Sequence, residues 1–153
     1  MNASFSRMFA TILALVGLLD ASYLAAERLR GGEPFCPIGG GCATVQNSPF
    51  AVLFGIPVAY LGVLAYLALF MLLLVSLSRT QVFGVPVRLA LLAVSSVGVL
   101  FSLYLTYLQL AVIHAVCFWC VVSALIQFTV LVLLVWEWRA EREQPPVSAV
   151  ARG

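Results

Sequence analysis

Lysine is absent from this 153-residue chain, histidine occurs once, and all eight basic residues are arginines. No run of basic side chains is left to track a phosphate backbone, which excludes nucleic acid as a partner. Charge of either sign is scarce, at 9% of residues against 63% hydrophobic, a balance foreign to soluble globular domains. No charged residue falls between Pro34 and Ser78, and none between Arg88 and Glu137 apart from whatever His114 acquires. The length leaves no room for a separate soluble domain, because about four spans of roughly 20 residues with short loops use it up. What remains is an all-α integral membrane protein, a four-transmembrane-helix bundle.

The apolar runs place the helices at about 8–26, 50–78, 87–110 and 117–138, within a single membrane domain over 1–139, and leave 140–153 as a short disordered cytoplasmic tail. The first run is longer than the apolar core of a signal peptide and is read as a retained helix. Gly55 and Pro57 imply an oblique or kinked start to the second. A tight turn around Gln109 to Val116 separates the third from the fourth. Trp119 and Trp136 then stand roughly 25 Å apart along the last helix, close to the hydrocarbon thickness. Arg7, Arg79, Arg88, Arg139, Arg142 and Arg152 collect on one side, and Arg28 and Arg30 on the other. The positive-inside rule therefore puts both termini in the cytoplasm and the loop between the first two helices outside. The membrane expected is the inner, or plasma, membrane.

Cysteines are few but paired. Cys36 and Cys42 flank a glycine-rich outer loop, and Cys117 and Cys120 open the last helix, so both pairs face the compartment where disulfides persist. Cys117 and Cys120 are i and i+3, on one helical face and within disulfide reach. At the first turn of a helix, free amides and the positive end of the dipole favour thiolate. Buried structural thiols, haem attachment and half a zinc site are the alternatives. Val121 in place of a histidine excludes haem attachment, and the ligand spacing is not that of a metal site. Redox chemistry is the reading that survives. Glycines 39 to 41 let the outer loop close a disulfide and move once it opens, whereas a staple across so few residues would constrain little chain.

The order of these features resembles the vitamin K epoxide reductase family: Cys36 and Cys42 in the first outer loop, Ser48 six residues on, Phe54-Gly55 near the second helix, and Cys117-Phe118-Trp119-Cys120 opening the fourth. The resemblance covers nearly the whole chain. Animal members carry a Tyr and an Asn where this chain has Ala124 and Ala51, which turns the reading away from vitamin K epoxide chemistry. It resembles instead the bacterial homologues that oxidise a thioredoxin-like protein and pass the electrons to membrane quinone, ubiquinone or menaquinone. The implied partner is a separate extracytoplasmic thioredoxin-like (DsbA-like) protein. The resemblance also assigns Cys42 to that partner, so that Cys36 leaves, attacks Cys117, and releases Cys120 beside the quinone.

Candidate quinone contacts on the same resemblance are Ser48, Phe54, Ala51 and Ala124. His114, three residues before Cys117, could exchange quinol protons, or could be a turn residue. Asp20 is a functional candidate because an ionisable group inside a span is costly; its rival reading is a side chain reaching outward to Arg28 or Arg30. Two other functions use the same residues: a reductase of quinone or vitamin K epoxide type running on a dedicated thiol donor, and a non-enzymatic assembly subunit with structural disulfides.

Overall fold

The structure is a computed structural model that describes residues 3–78, 81–82 and 84–143. Arg79 and the expected tail beyond Glu143 lie outside the described residues. Among those described, four helices are long and apolar enough to cross a membrane: Phe5–Arg30, Val58–Ser76, Val87–Ile113 and Phe118–Ala140. The first, third and fourth of these belong to α1 (Ala3–Arg30), α4 (Val87–Tyr107) with its continuation, and α5 (Phe118–Glu143); the second is α3 (Val58–Ser76), and a short outer helix, α2 (Cys42–Gln46), lies between α1 and α3. The chain is a multi-pass helical membrane protein.

The four long helices form a ring in which α1 packs on α3 and α5, and α4 packs on α3 and α5. Helices in lipid gain little from hydrophobic burial against one another, so close packing of small residues has to hold them. On α1 the buried face is Ser6, Ala10, Ala14 and Ala21, with Gly17 in line. A side chain at Gly17 would have its Cβ 2.2 Å from the ring of Tyr66, so glycine there lets α3 lay an aromatic directly on the α1 backbone. Leu69 and Leu73 of α3, Leu91 of α4 and Val130 of α5 complete the core. Leu64, Leu100, Leu103 and Leu125 are exposed, as a lipid-facing surface requires. At the end of the bundle away from the cysteines Arg7 bonds Glu137, and it also reaches the Ser76 carbonyl at 3.3 Å, which ties α1 to α5 and α3.

The second helix does not begin at residue 50. Residues 49–57 form a 3₁₀ turn, Pro49–Ala51, and a two-stranded hairpin, β1 (Val52–Leu53) with β2 (Ile56–Pro57). Its two-residue turn, Phe54-Gly55, has positive φ at both positions, 52° and 82°, the geometry that matches strand twist in a tight hairpin. Pro57 then fixes the backbone just before the first helical residue. The chain repeats this device before α4, where β3 (Gln81–Val82) pairs with β4 (Val85–Pro86). The other helix bounds also move: α1 runs to Arg30, and α5 begins at Phe118 and continues to Glu143, beyond the boundary expected at 139.

Candidate functional site

Above α4 the helix does not stop at residue 110 but widens into a π-helical segment, Leu108–Ile113, closed by His114 in the left-handed conformation at φ 54°. The widened turn carries Gln109 inward. Its side chain is 3% exposed, its Oε1 accepts the backbone N–H of Cys117 at 2.8 Å, and its carbonyl accepts the N–H of Ala115 at 3.1 Å. Gln109 thus fixes the approach to the last helix. Cys117 sits just before that helix, not within its first turn: its carbonyl accepts the N–H of Val121, and its Sγ lies 3.4 Å from the N–H of Cys120. The thiol fills the place of an N-cap side chain. A hydrogen bond from the Cys120 thiol is the main reason Cys117 lies below the ordinary cysteine range; burial opposes this, and the Cys120 and Trp119 amides support it.

Cys36 and Cys42 form a disulfide, while Cys117 and Cys120 are thiols. The two loop cysteines are unequal: Cys42 is 0% exposed, Cys36 half-buried. Gly41 explains this. A Cβ on it would stand 2.5 Å from the carbonyl oxygen of Val116 and 2.8 Å from its nitrogen, so the loop backbone lies directly on the residue before Cys117. That contact brings Cys42 and Cys117, both fully buried, onto adjoining stretches of chain. The resemblance assigns Cys42 to the partner, whereas in this structure Cys36 is the more exposed of the two. Trp119 holds the other side of the loop. Its indole N–H donates to the Phe35 carbonyl at 2.7 Å, its ring lies 5.2 Å from that of Tyr23, and the Tyr23 hydroxyl accepts the Phe35 N–H at 3.0 Å. Trp119 reads in the sequence as a membrane-interface residue; here it is a clamp between the two cysteine pairs.

Beneath Cys117 a cavity of about 520 Å³ lies between the helices, lined by Cys120, Asp20, Tyr66, Ser123, Gln109 and Gln127 together with apolar side chains such as Ala21, Val94 and Phe101. Ser48 and Ala51 line it at its outer edge, and the Ser48 hydroxyl donates to the Val45 carbonyl at 2.7 Å. Phe54, 96% exposed at the hairpin tip, half-buried Ala124, and exposed His114 are not among its lining residues. His114 acts here as the turn that ends the π segment. Asp20 does not reach Arg28 or Arg30. Arg28 donates to the Gln46 carbonyl at 3.0 Å, and Arg30 lies 3.7 Å from Glu27.

The sequence that builds this arrangement is matched in known proteins. The model of the vitamin K epoxide reductase family matches residues 8–135. The chain belongs to that family. A relative from Arabidopsis thaliana, named thiol-disulfide oxidoreductase LTO1, is 32% identical over 136 residues, covering 86% of this chain and 36% of its own length. The chain thus spans about a third of that relative. The match to the family covers all four cysteines and both small side chains, Ala51 and Ala124.

Proposed function

We propose that this chain is a quinone-dependent thiol oxidoreductase that makes disulfides for an extracytoplasmic, thioredoxin-like dithiol protein. Family membership and the relative named as a thiol-disulfide oxidoreductase support the class of reaction. The observation that carries the reading is the sequence of burial. Cys36 is reachable, Cys42 and Cys117 are buried on adjoining backbone, and Cys120 lines the cavity. The arginine asymmetry supports an outward-facing loop in a plasma membrane.

The thiol chemistry follows from that order. A partner thiolate attacks Cys36 and expels Cys42 as a thiolate. Cys42 attacks Cys117 in an oxidised Cys117–Cys120 pair and expels Cys120. The partner's second thiol then releases Cys36, which attacks Cys42 and frees Cys117. The loop disulfide is restored, the partner leaves oxidised, and Cys117 and Cys120 hold two electrons and two protons as a dithiol. Each step exchanges one S–S bond for another. The hydrogen bond from Cys120 and the amides that favour anionic Cys117 make that thiol a good leaving group when Cys36 displaces it.

The cavity suits a quinone: its volume lies in the range of small-molecule sites, and its lining is apolar with a few polar groups. Tyr66, Ser123 and Asp20 would surround the ring, and Cys120 would face it. When bound, quinone accepts the two electrons and two protons of the dithiol. The test uses the purified chain, a reduced thioredoxin-like protein and decylubiquinone, following both substrates. One quinone lost for each pair of thiols oxidised is expected. Quinone loss without thiol loss, or no reaction, would refute the proposal.

A further inference from the structure

Asp20 is the polar group that the thiol relay does not use. It lies ten residues before Arg30, about 15 Å along the helix axis, within the apolar span Phe5–Arg30. It is 7% exposed, and neither carboxyl oxygen has a hydrogen-bond partner. Five other polar side chains around the cavity are engaged with the protein. The Tyr66 hydroxyl donates to the Ser123 carbonyl at 2.7 Å and lies 3.0 Å from the Ser123 hydroxyl. Gln109 holds Cys117, Ser48 holds the Val45 carbonyl, and Gln127 donates to the Ser95 carbonyl at 3.3 Å. Among the described residues, Asp20 is the one cavity-lining side chain whose buried oxygens are left over. Among the described residues no arginine pairs with it, and an unpaired carboxylate is poorly tolerated in such surroundings, whereas the neutral acid offers an O–H donor.

We propose that Asp20 is the proton donor for quinone reduction, poised in the cavity beside Cys120; the inference rests on the quinone reading above. As Cys117 and Cys120 form their disulfide, two electrons pass from the thiol pair to quinone. Asp20 gives its carboxyl proton to one quinone oxygen. The carboxylate then takes back one of the two thiol protons, and the other thiol proton completes the quinol. No proton has to enter from outside during the step. The titratable groups facing Asp20 are Tyr66 on α3 and Cys120 on α5, with Cys117 at the head of α5; the α4 residues that line the cavity, Ala93, Val94, Val97 and Gly98 among them, contribute none.

The test follows one turnover of the prereduced full chain with decylubiquinone. Asp20→Asn should slow quinone reduction roughly 100-fold, the scale of a lost general acid. Quinone affinity, read by quenching of tryptophan fluorescence, should stay within about threefold, since only one donor changes. Oxidation of the same thiols by ferricyanide, which takes electrons alone, should be unchanged. The Asn variant should also acquire a rate that rises with acidity as solvent becomes the donor, while the wild-type rate does so less steeply. Asp20→Ala should recover on addition of formate, a small acid able to enter the vacated space, and this reads the same property if the Asn variant folds poorly. A wild-type chain that reduces quinone while Asp20→Asn matches it in rate and pH profile overturns the inference alone. So does an Ala variant that formate does not restore. A wild-type chain that never reduces quinone overturns the functional proposal, and this inference with it.

Discussion

Gly41→Ala tests whether the contact between the loop and Val116 sets the rate of internal thiol exchange. The added methyl would sit 2.5 Å from the Val116 carbonyl oxygen, and ordinary contact begins at 3.4 Å, so one backbone must retreat by about 0.9 Å. Neither side is a flexible side-chain end: Val116 is followed by a residue pinned by Gln109, and Gly41 precedes the fully buried Cys42. Overpacking of this kind costs about 1–3 kcal/mol of stability. A displacement near 1 Å between reacting groups can cost roughly 100-fold in rate. Turnover with a reduced thioredoxin-like protein and decylubiquinone should therefore fall about 100-fold. The isolated half-reaction, oxidation of the prereduced Cys117 and Cys120 by quinone, should keep its rate, since it does not involve the loop. Wild-type turnover in Gly41→Ala, or equal slowing of both reactions, would refute the reasoning.

Three further outcomes are expected. In a chain left with only Cys42 and Cys117, mild oxidation should form an intramolecular disulfide visible by mass after proteolysis, whereas Cys36 with Cys117 should not cross-link; the opposite pattern would restore Cys42 as the outward member. In the reduced chain, the pH midpoint for alkylation of Cys117 should lie below that of an ordinary cysteine, so that reactivity persists as pH falls, and Cys120→Ala should move the midpoint upward because it removes the largest cause of the shift; an unmoved midpoint would show that the hydrogen bond is unimportant. Arg7→Ala takes the guanidinium away from Glu137, whose side chain is 8% exposed, and should lower stability in detergent by about 1–3 kcal/mol, discounted because Arg7 itself is partly exposed; a thermal-unfolding midpoint equal to wild type would contradict this.

The spans were legible because each is an uninterrupted apolar run of sufficient length, a signal that depends on no partner. The helix starts were not. Residues 50–57 look like the beginning of a span, but Phe54 takes a positive φ, a conformation uncommon for a bulky side chain, and a hairpin results. The four cysteines stand out by type and spacing, yet the unequal burial of the loop pair does not, because Gly41, beside Cys42, packs on a residue 75 positions away in the chain. Gln109 and Trp119 illustrate the same limit. A glutamine at a span end and a tryptophan at an interface are unremarkable in sequence, and only their contacts with Cys117 and, across 84 residues, with Phe35 make them part of the site. Asp20 did stand out, since a carboxyl within an apolar run is costly wherever it points.

The π-helical segment gives the third span a property that composition does not show, namely an intolerance of changes in length. A π turn accommodates residues that an α-helix of the same rise would not, and each residue added to or taken from a helix rotates everything beyond it by about 100°. Deleting a single largely exposed residue such as Leu110, 59% exposed, would take little from the core, yet it would swing the turn at His114 and the backbone leading into Cys117 around the helix axis. The segment works as a gear tooth: the identity of some of its side chains is free, but their number sets the angle at which the reactive thiols meet.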